Sequence, residues 1–162
     1  MKKKYNKLES FIEFTGSFAS NLFFLLVLFV TSSVLLRYLF SVGFTWLQDL
    51  YIWTHATIIL LGIAYTLKKN EHVRIDLIYR NIKKSKKNII DKFGSIFFGL
   101  PLSYFIFFEG FNYFNRSFIL RESSKETGGL PAIYILKFFI FFLGLTLFVE
   151  LIRFIFKKDD NK

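Results

Sequence analysis

Four ionisable side chains stand in otherwise apolar surroundings: Arg37, Asp49, Glu109 and Lys137. A charge at the centre of a membrane helix costs roughly 2.5 to 3.5 kcal/mol, so each needs a partner or a wet surface. Two acids and two bases at similar depth can neutralise one another. The predicted pairs are Arg37 with Asp49 across a tight turn and Glu109 with Lys137; the alternative is that each side chain snorkels separately to the outer headgroups. His55 lies deeper than any of them. It either carries a proton or ligand, or stays neutral and hydrogen-bonded at a helix contact with a partner subunit, and the second is the expectation. Trp46, Asp49, Trp53 and His55 are the candidates for that subunit contact. The other histidine, His72, falls in a basic loop, which excludes a haem held by two histidines within the membrane. Glu150 and Arg153, spaced i, i+3, predict a local ion pair. No catalytic set emerges: there is no phosphate-cradling glycine loop, no metal-ligand motif and no Ser-His-Asp arrangement. Cysteine is absent, which removes disulfides and thiolate chemistry. The chain is therefore read as a non-enzyme with no cofactor and no metal.

The elements that hold these residues follow from composition. Hydrophobic residues make up 53% of the 162, and 24 are Phe; a soluble domain has about 45 to 50% apolar residues. The apolar residues are gathered into four runs, each near the roughly 20 residues that a helix needs to cross hydrocarbon. None alternates with period two, so helices rather than barrel strands are predicted. The expected fold is a single all-α membrane domain over 1–162, with spans at about 14–40, 44–67, 89–114 and 131–156, a basic loop at 68–88 and an outer loop at 115–130. Glu9 and Glu13 interrupt the basic start and the first run is too long for a signal core, so no cleaved signal peptide is expected.

Charge orients this arrangement. The net charge of +10 is concentrated in residues 1–17, Lys68 to Lys92 and 153–162. Four crossings put those three segments on one side, and the positive-inside rule makes that side cytoplasmic, with both termini inside. Lys83, Lys84, Lys86 and Lys87 are the lipid-headgroup candidates. Nothing resembling a stacking platform accompanies the charge, so nucleic acid is not an expected partner. Tyr5, Leu8, Phe11 and Ile12 predict a short interfacial helix before the first span, and Ile75, Ile78, Tyr79 and Ile82 predict a second in the basic loop. Pro101 predicts a kink in the third span.

With these elements in place, the segments Arg37-Tyr38-Leu39-Phe40, Gly43-Phe44-Thr45-Trp46-Leu47-Gln48-Asp49-Leu50, Leu61-Gly62-Ile63-Ala64-Tyr65-Thr66-Leu67 and Glu71-His72-Val73-Arg74-Ile75-Asp76 resemble the small membrane subunit, DctQ-like, of tripartite ATP-independent periplasmic (TRAP) transporters. The outer segment Glu122-Ser123-Ser124-Lys125-Glu126-Thr127-Gly128-Gly129-Leu130-Pro131, with Lys137, is similar to the subgroup labelled for mannitol or chloroaromatic compounds. Asp49 departs from the family, which more often has Glu there. The resemblance implies a scaffold in the bacterial inner membrane that braces a large elevator-type permease subunit and helps dock a periplasmic substrate-binding protein, in sodium-driven uptake of an organic acid or similar solute. It makes Arg116, Arg121, Glu122, Lys125, Glu126, Gly128, Gly129 and Pro131 the docking candidates, with membrane lipids as further partners. Two other classes remain open: an anchor of a respiratory complex, and a self-assembling small channel or exporter.

Overall fold

Hydrocarbon offers backbone groups no hydrogen-bonding partner, so a spanning segment must satisfy its own amides and carbonyls. The computed structural model, which describes residues 7–69 and 84–156, meets that demand with helices. They are α1 (Lys7–Phe40), α2 (Thr45–Lys69), α3 (Lys84–Gly94), a π-helical turn (Ser95–Gly99), α4 (Leu100–Ile119) and α5 (Tyr134–Phe156). Four continuous stretches are long and apolar enough to cross a membrane: Ser10–Phe40, Thr45–Lys69, Lys86–Ile119 and Tyr134–Phe156. The protein is an all-α, four-span membrane protein.

Two expectations about the helices need correction. From Lys7 onward there is no separate interfacial helix, because α1 runs unbroken to Phe40. Of the expected stripe, Ile12 is buried at 1% exposed, whereas Phe11 is 45% exposed with its ring 5.9 Å from that of Phe142 in α5. Tyr5 lies outside the described residues, as do His72, Lys83 and the helix expected around Ile75 to Ile82. The irregularity in the third span precedes Pro101 rather than centring on it. Pro101 is the second residue of α4, and its ring would clash with the carbonyl four residues back. The turn Ser95–Gly99 widens to make room, and Leu100 N–H donates to Ser95 O, one residue further back than in an α-helix. At the other end α4 continues to Ile119, so residues 115–119 of the expected outer loop are helical.

The helices form a row. α1 packs on α2, α2 on α5 and α5 on α4, so the first and third spans are not neighbours. The turn between α1 and α2 is short because Ser41 adopts φ +55° and Val42 N–H caps Leu36 O at 3.2 Å, which closes the helix end. Small residues bring α4 and α5 close together. A Cβ on Gly110 would stand 3.0 Å from the backbone of Phe141, and one on Gly144 would overlap the backbone of Phe107. In a bilayer, where apolar burial gives helices no reason to associate, such backbone approach is a main source of packing energy. Phe107 and Phe141 fill the flank of the contact with ring centroids 5.0 Å apart.

Gly144→Leu should therefore lower the thermal stability of the purified protein by about 1 to 3 kcal/mol, the usual cost of overpacking. Gly62→Ala, where an added Cβ meets nothing within 4 Å, should be neutral or slightly stabilising. Equal unfolding temperatures for the two variants would contradict the packing described for α4 and α5.

Candidate functional site

The outer ends of α2, α4 and α5 meet under the loop from Leu120 to Ile133. Lys137, in the first turns of α5, is 6% exposed. Its Nζ donates to Glu122 Oε2 at 2.5 Å and stands 3.9 Å from the ring centroid of Tyr113 on α4. Ser117 Oγ, also on α4 and buried, donates to the same carboxylate oxygen at 2.7 Å. Glu122 is thus turned inward by two donors, and its backbone is fixed as well. Its N–H donates to Ser117 O at 3.1 Å and its carbonyl accepts from Ile133 N–H at 3.1 Å. Arg121 and Ala132, flanking this doubly bonded stretch, adopt φ of +50° and +70°, which few non-glycine residues do.

A second tie fastens the loop to α2. Asp49 is buried, and its Oδ2 accepts from Leu130 N–H at 2.8 Å. A Cβ on Gly129 would come within 2.5 Å of that same oxygen and 2.6 Å of Ser124. A side chain there would displace the Asp49 carboxylate or Ser124 from this approach, while Gly128 supplies φ +78° for the turn. Ser124 N–H donates to Leu130 O at 2.9 Å and closes the small loop.

Neither predicted cross-helix pair forms. In the register set by Glu13 beside Lys68 and Gly16 beneath Tyr65, Arg37 lies opposite Phe44 and not Asp49. That is about five residues, or roughly 7 Å, too far out. Arg37 is exposed at the turn, and Asp49 faces the loop instead. The second pair fails in the same way. The register of Gly110 against Phe141 and Gly144 against Phe107 puts Lys137 beside Tyr113 and Phe114, about one turn beyond Glu109. Glu109 itself is exposed on the outer flank of α4. Glu150 and Arg153 do pair, with Arg153 Nε donating to Glu150 Oε2 at 2.8 Å.

Several further residues were not anticipated. Lys68 Nζ meets Glu13 Oε1 at 3.0 Å and clamps the inner ends of α1 and α2. The signal was present, since the two residues are nearly equidistant from the turn at Ser41 to Gly43. Ser117 and Tyr113 around Lys137 carried no signal of their own, because their role depends on α4 continuing past residue 114. Among the other candidates, Trp46 is exposed at the outer end of α2 and Trp53 half-buried, while His55 faces outward. Arg116, Arg121, Lys125, Glu126, Gly128 and Pro131 are exposed, Gly129 is partly covered, and Glu122 is committed to Lys137. Lys84 opens α3, and Lys86 is exposed beside it.

The hydrogen bonds from Lys137 and Ser117, opposed in part by burial, hold the Glu122 carboxyl below the ordinary glutamate range. A lowered value means that the clasp contributes its stability above about pH 4.3 and loses it as pH falls through the lowered value. Protease protection of the outer loop should accordingly be constant from neutrality to mildly acidic pH and drop in strong acid, and Glu122→Gln should remove that drop. Glu122→Gln should also destabilise more than Lys137→Met, because the first strands a buried ammonium whereas the second leaves a carboxylate that can reach water. The double variant should resemble Lys137→Met; additive losses would contradict the pairing.

No curated protein and no solved structure matches this chain. The family model described as Tripartite ATP-independent periplasmic transporters, DctQ component, matches residues 26–158. That match takes in the second part of α1, from residue 26 to its end, the whole of α2, α3, α4 and α5, and the outer clasp. The chain therefore belongs to the DctQ family, the small membrane component of tripartite ATP-independent periplasmic transporters.

Proposed function

We propose that this chain is the static scaffold of its transporter. It braces the large permease subunit along its lateral faces and offers its outer loop to a periplasmic substrate-binding protein, in the inner membrane of a bacterium and with its basic segments in the cytoplasm. The transport supported is sodium-driven uptake of an organic acid or similar solute, and the outer segment with Lys137 favours the subgroup labelled for mannitol or chloroaromatic compounds. One observation carries the scaffold reading. His55 and Glu109 each lie about ten residues, roughly 15 Å, inside the outer ends of α2 and α4, and each faces away from the rest of the chain. Lipid is a poor neighbour for a carboxylate at that depth, whereas a partner helix with a donor group is a good one. The surrounding apolar side chains, such as Ile52, Ile59, Phe105 and Phe108, are 45%, 48%, 63% and 49% exposed and provide contact area on the same flanks.

For docking, the exposed charges of Arg116, Arg121, Lys125 and Glu126 support a weak, salt-sensitive contact with the binding protein. Glu122 serves this surface indirectly, by holding the loop.

A tagged copy should co-purify with a many-span permease encoded alongside it, and proteoliposomes should take up solute only when both membrane subunits and the binding protein are present. Glu109→Leu should weaken co-purification by roughly tenfold, as expected for loss of one charge-assisted hydrogen bond, while Phe105→Leu should leave it nearly unchanged. Reversing Lys125 and Glu126 should impair uptake through the binding protein without releasing the permease. Solute movement by this chain alone, or a haem or quinone signal in the purified protein, would reject the scaffold reading.

A further inference from the structure

At the inner end of the α1–α2 pair, Glu13, Ser17, Ser20 and Asn21 follow one face of α1. With Tyr65 and Lys69 of α2 they line an open cleft of about 470 Å³. Ser17, Ser20, Asn21 and Lys69 are exposed, on the flank of a helix that crosses the membrane. The chemistry changes with depth. Glu13 and Lys69 lie at the inner ends of their spans, Asn21 lies about 12 Å further along α1, and the rings of Phe14, Phe18 and Phe24 on the same helix are 67%, 45% and 74% exposed.

We propose that this cleft binds one glycerophospholipid of the inner leaflet with an anionic headgroup, such as phosphatidylglycerol. Lys68 already neutralises Glu13 at 3.0 Å, so Lys69 adds a positive charge to the cleft, placed 5.5 Å from the centre of the Tyr65 ring. That ammonium takes the phosphate. Ser20 Oγ donates to Gly16 O at 3.1 Å and keeps only acceptor capacity, so Ser17 and Asn21 supply the donors for the ester carbonyls. The acyl chains follow the phenylalanines. Glycine at position 16 shapes the wall, since a Cβ there would overlap the Tyr65 ring and push α2 away. The site is distinct from the basic residues Lys86 and Lys87 of α3. It depends on the membrane topology, not on the scaffold role.

The test uses the full chain, purified and reconstituted in nanodiscs of mixed phosphatidylglycerol and phosphatidylcholine, with retained lipid counted by native mass spectrometry. Wild type should retain one phosphatidylglycerol in preference to phosphatidylcholine of the same chain length. Lys69→Gln should reduce retention about fivefold, the effect of one basic residue near an anionic headgroup, and the double variant Ser17→Leu, Asn21→Leu should also reduce it. Lys86→Gln should leave it unchanged. Equal retention of the two lipids by wild type overturns the proposal without reference to any variant. Equal loss in Lys69→Gln and Lys86→Gln overturns it in favour of diffuse attraction, and displacement by millimolar inorganic phosphate overturns it in favour of a free-anion site.

Discussion

Lys137 enters the outer half of the membrane as a buried residue, 6% exposed. An unpaired charge in that position would be among the most costly features a span can carry. Its neutralising carboxylate comes from Glu122 in the loop between α4 and α5, fifteen residues earlier in sequence. Once that contact is required, the loop must fold back over the helix ends. Ser117 must face inward to complete the carboxylate, and the chain must adopt the left-handed backbone at Arg121 and Ala132 that brackets Glu122. The bond from Leu130 N–H to Asp49 then carries the same loop across to α2. One buried cation thus ties three spans together at their outer ends, through a segment that would otherwise be a connector.

The contact depends in turn on register. Antiparallel helices that touch through glycine allow little sliding, because the backbone of one lies in the gap left by the missing side chain of the other. Gly110 and Gly144 lock α4 to α5 in this way, and at the α1–α2 contact Gly16 makes room for the ring of Tyr65. These locks decide which charges can meet. They place Lys137 beside Tyr113 and out of reach of Glu109, and Glu13 beside Lys68.

Sequence reading therefore succeeded where the signal was an average over many residues. Four helical crossings follow from four apolar runs, the family from the order of short segments between Arg37 and Asp76, and the Glu150–Arg153 pair from a spacing within one helix. It failed where the outcome turned on a shift of about one turn between two helices. Depth estimated by counting from the nearest loop placed Arg37 with Asp49 and Glu109 with Lys137, and an error of about five residues was enough to break both pairs. The interfacial helix expected at Phe11 and Ile12 failed for a related reason. An amphipathic stripe fits a membrane surface or a neighbouring helix equally well, and here Ile12 is buried against protein while Phe11 stays 45% exposed. Glu122 shows the remaining limit, since a charged loop residue reads as a solvent-facing group until the folded loop turns it inward.

A row of four helices packed in the order α1, α2, α5, α4 leaves broad flanks uncovered. Its stability must come from pairwise contacts along the row, and the structure supplies one strong device for the α4–α5 pair, one for α1–α2 and the clasp above them. The faces left over hold most of the phenylalanines together with His55 and Glu109. A stand-alone carrier would be expected to turn such polar groups inward, around a substrate path. Here they point outward from helices whose inner contacts are already satisfied by glycine and aromatic packing. That distribution supports the proposed scaffold role, in which rigidity is internal and a neighbouring subunit would complete the polar groups.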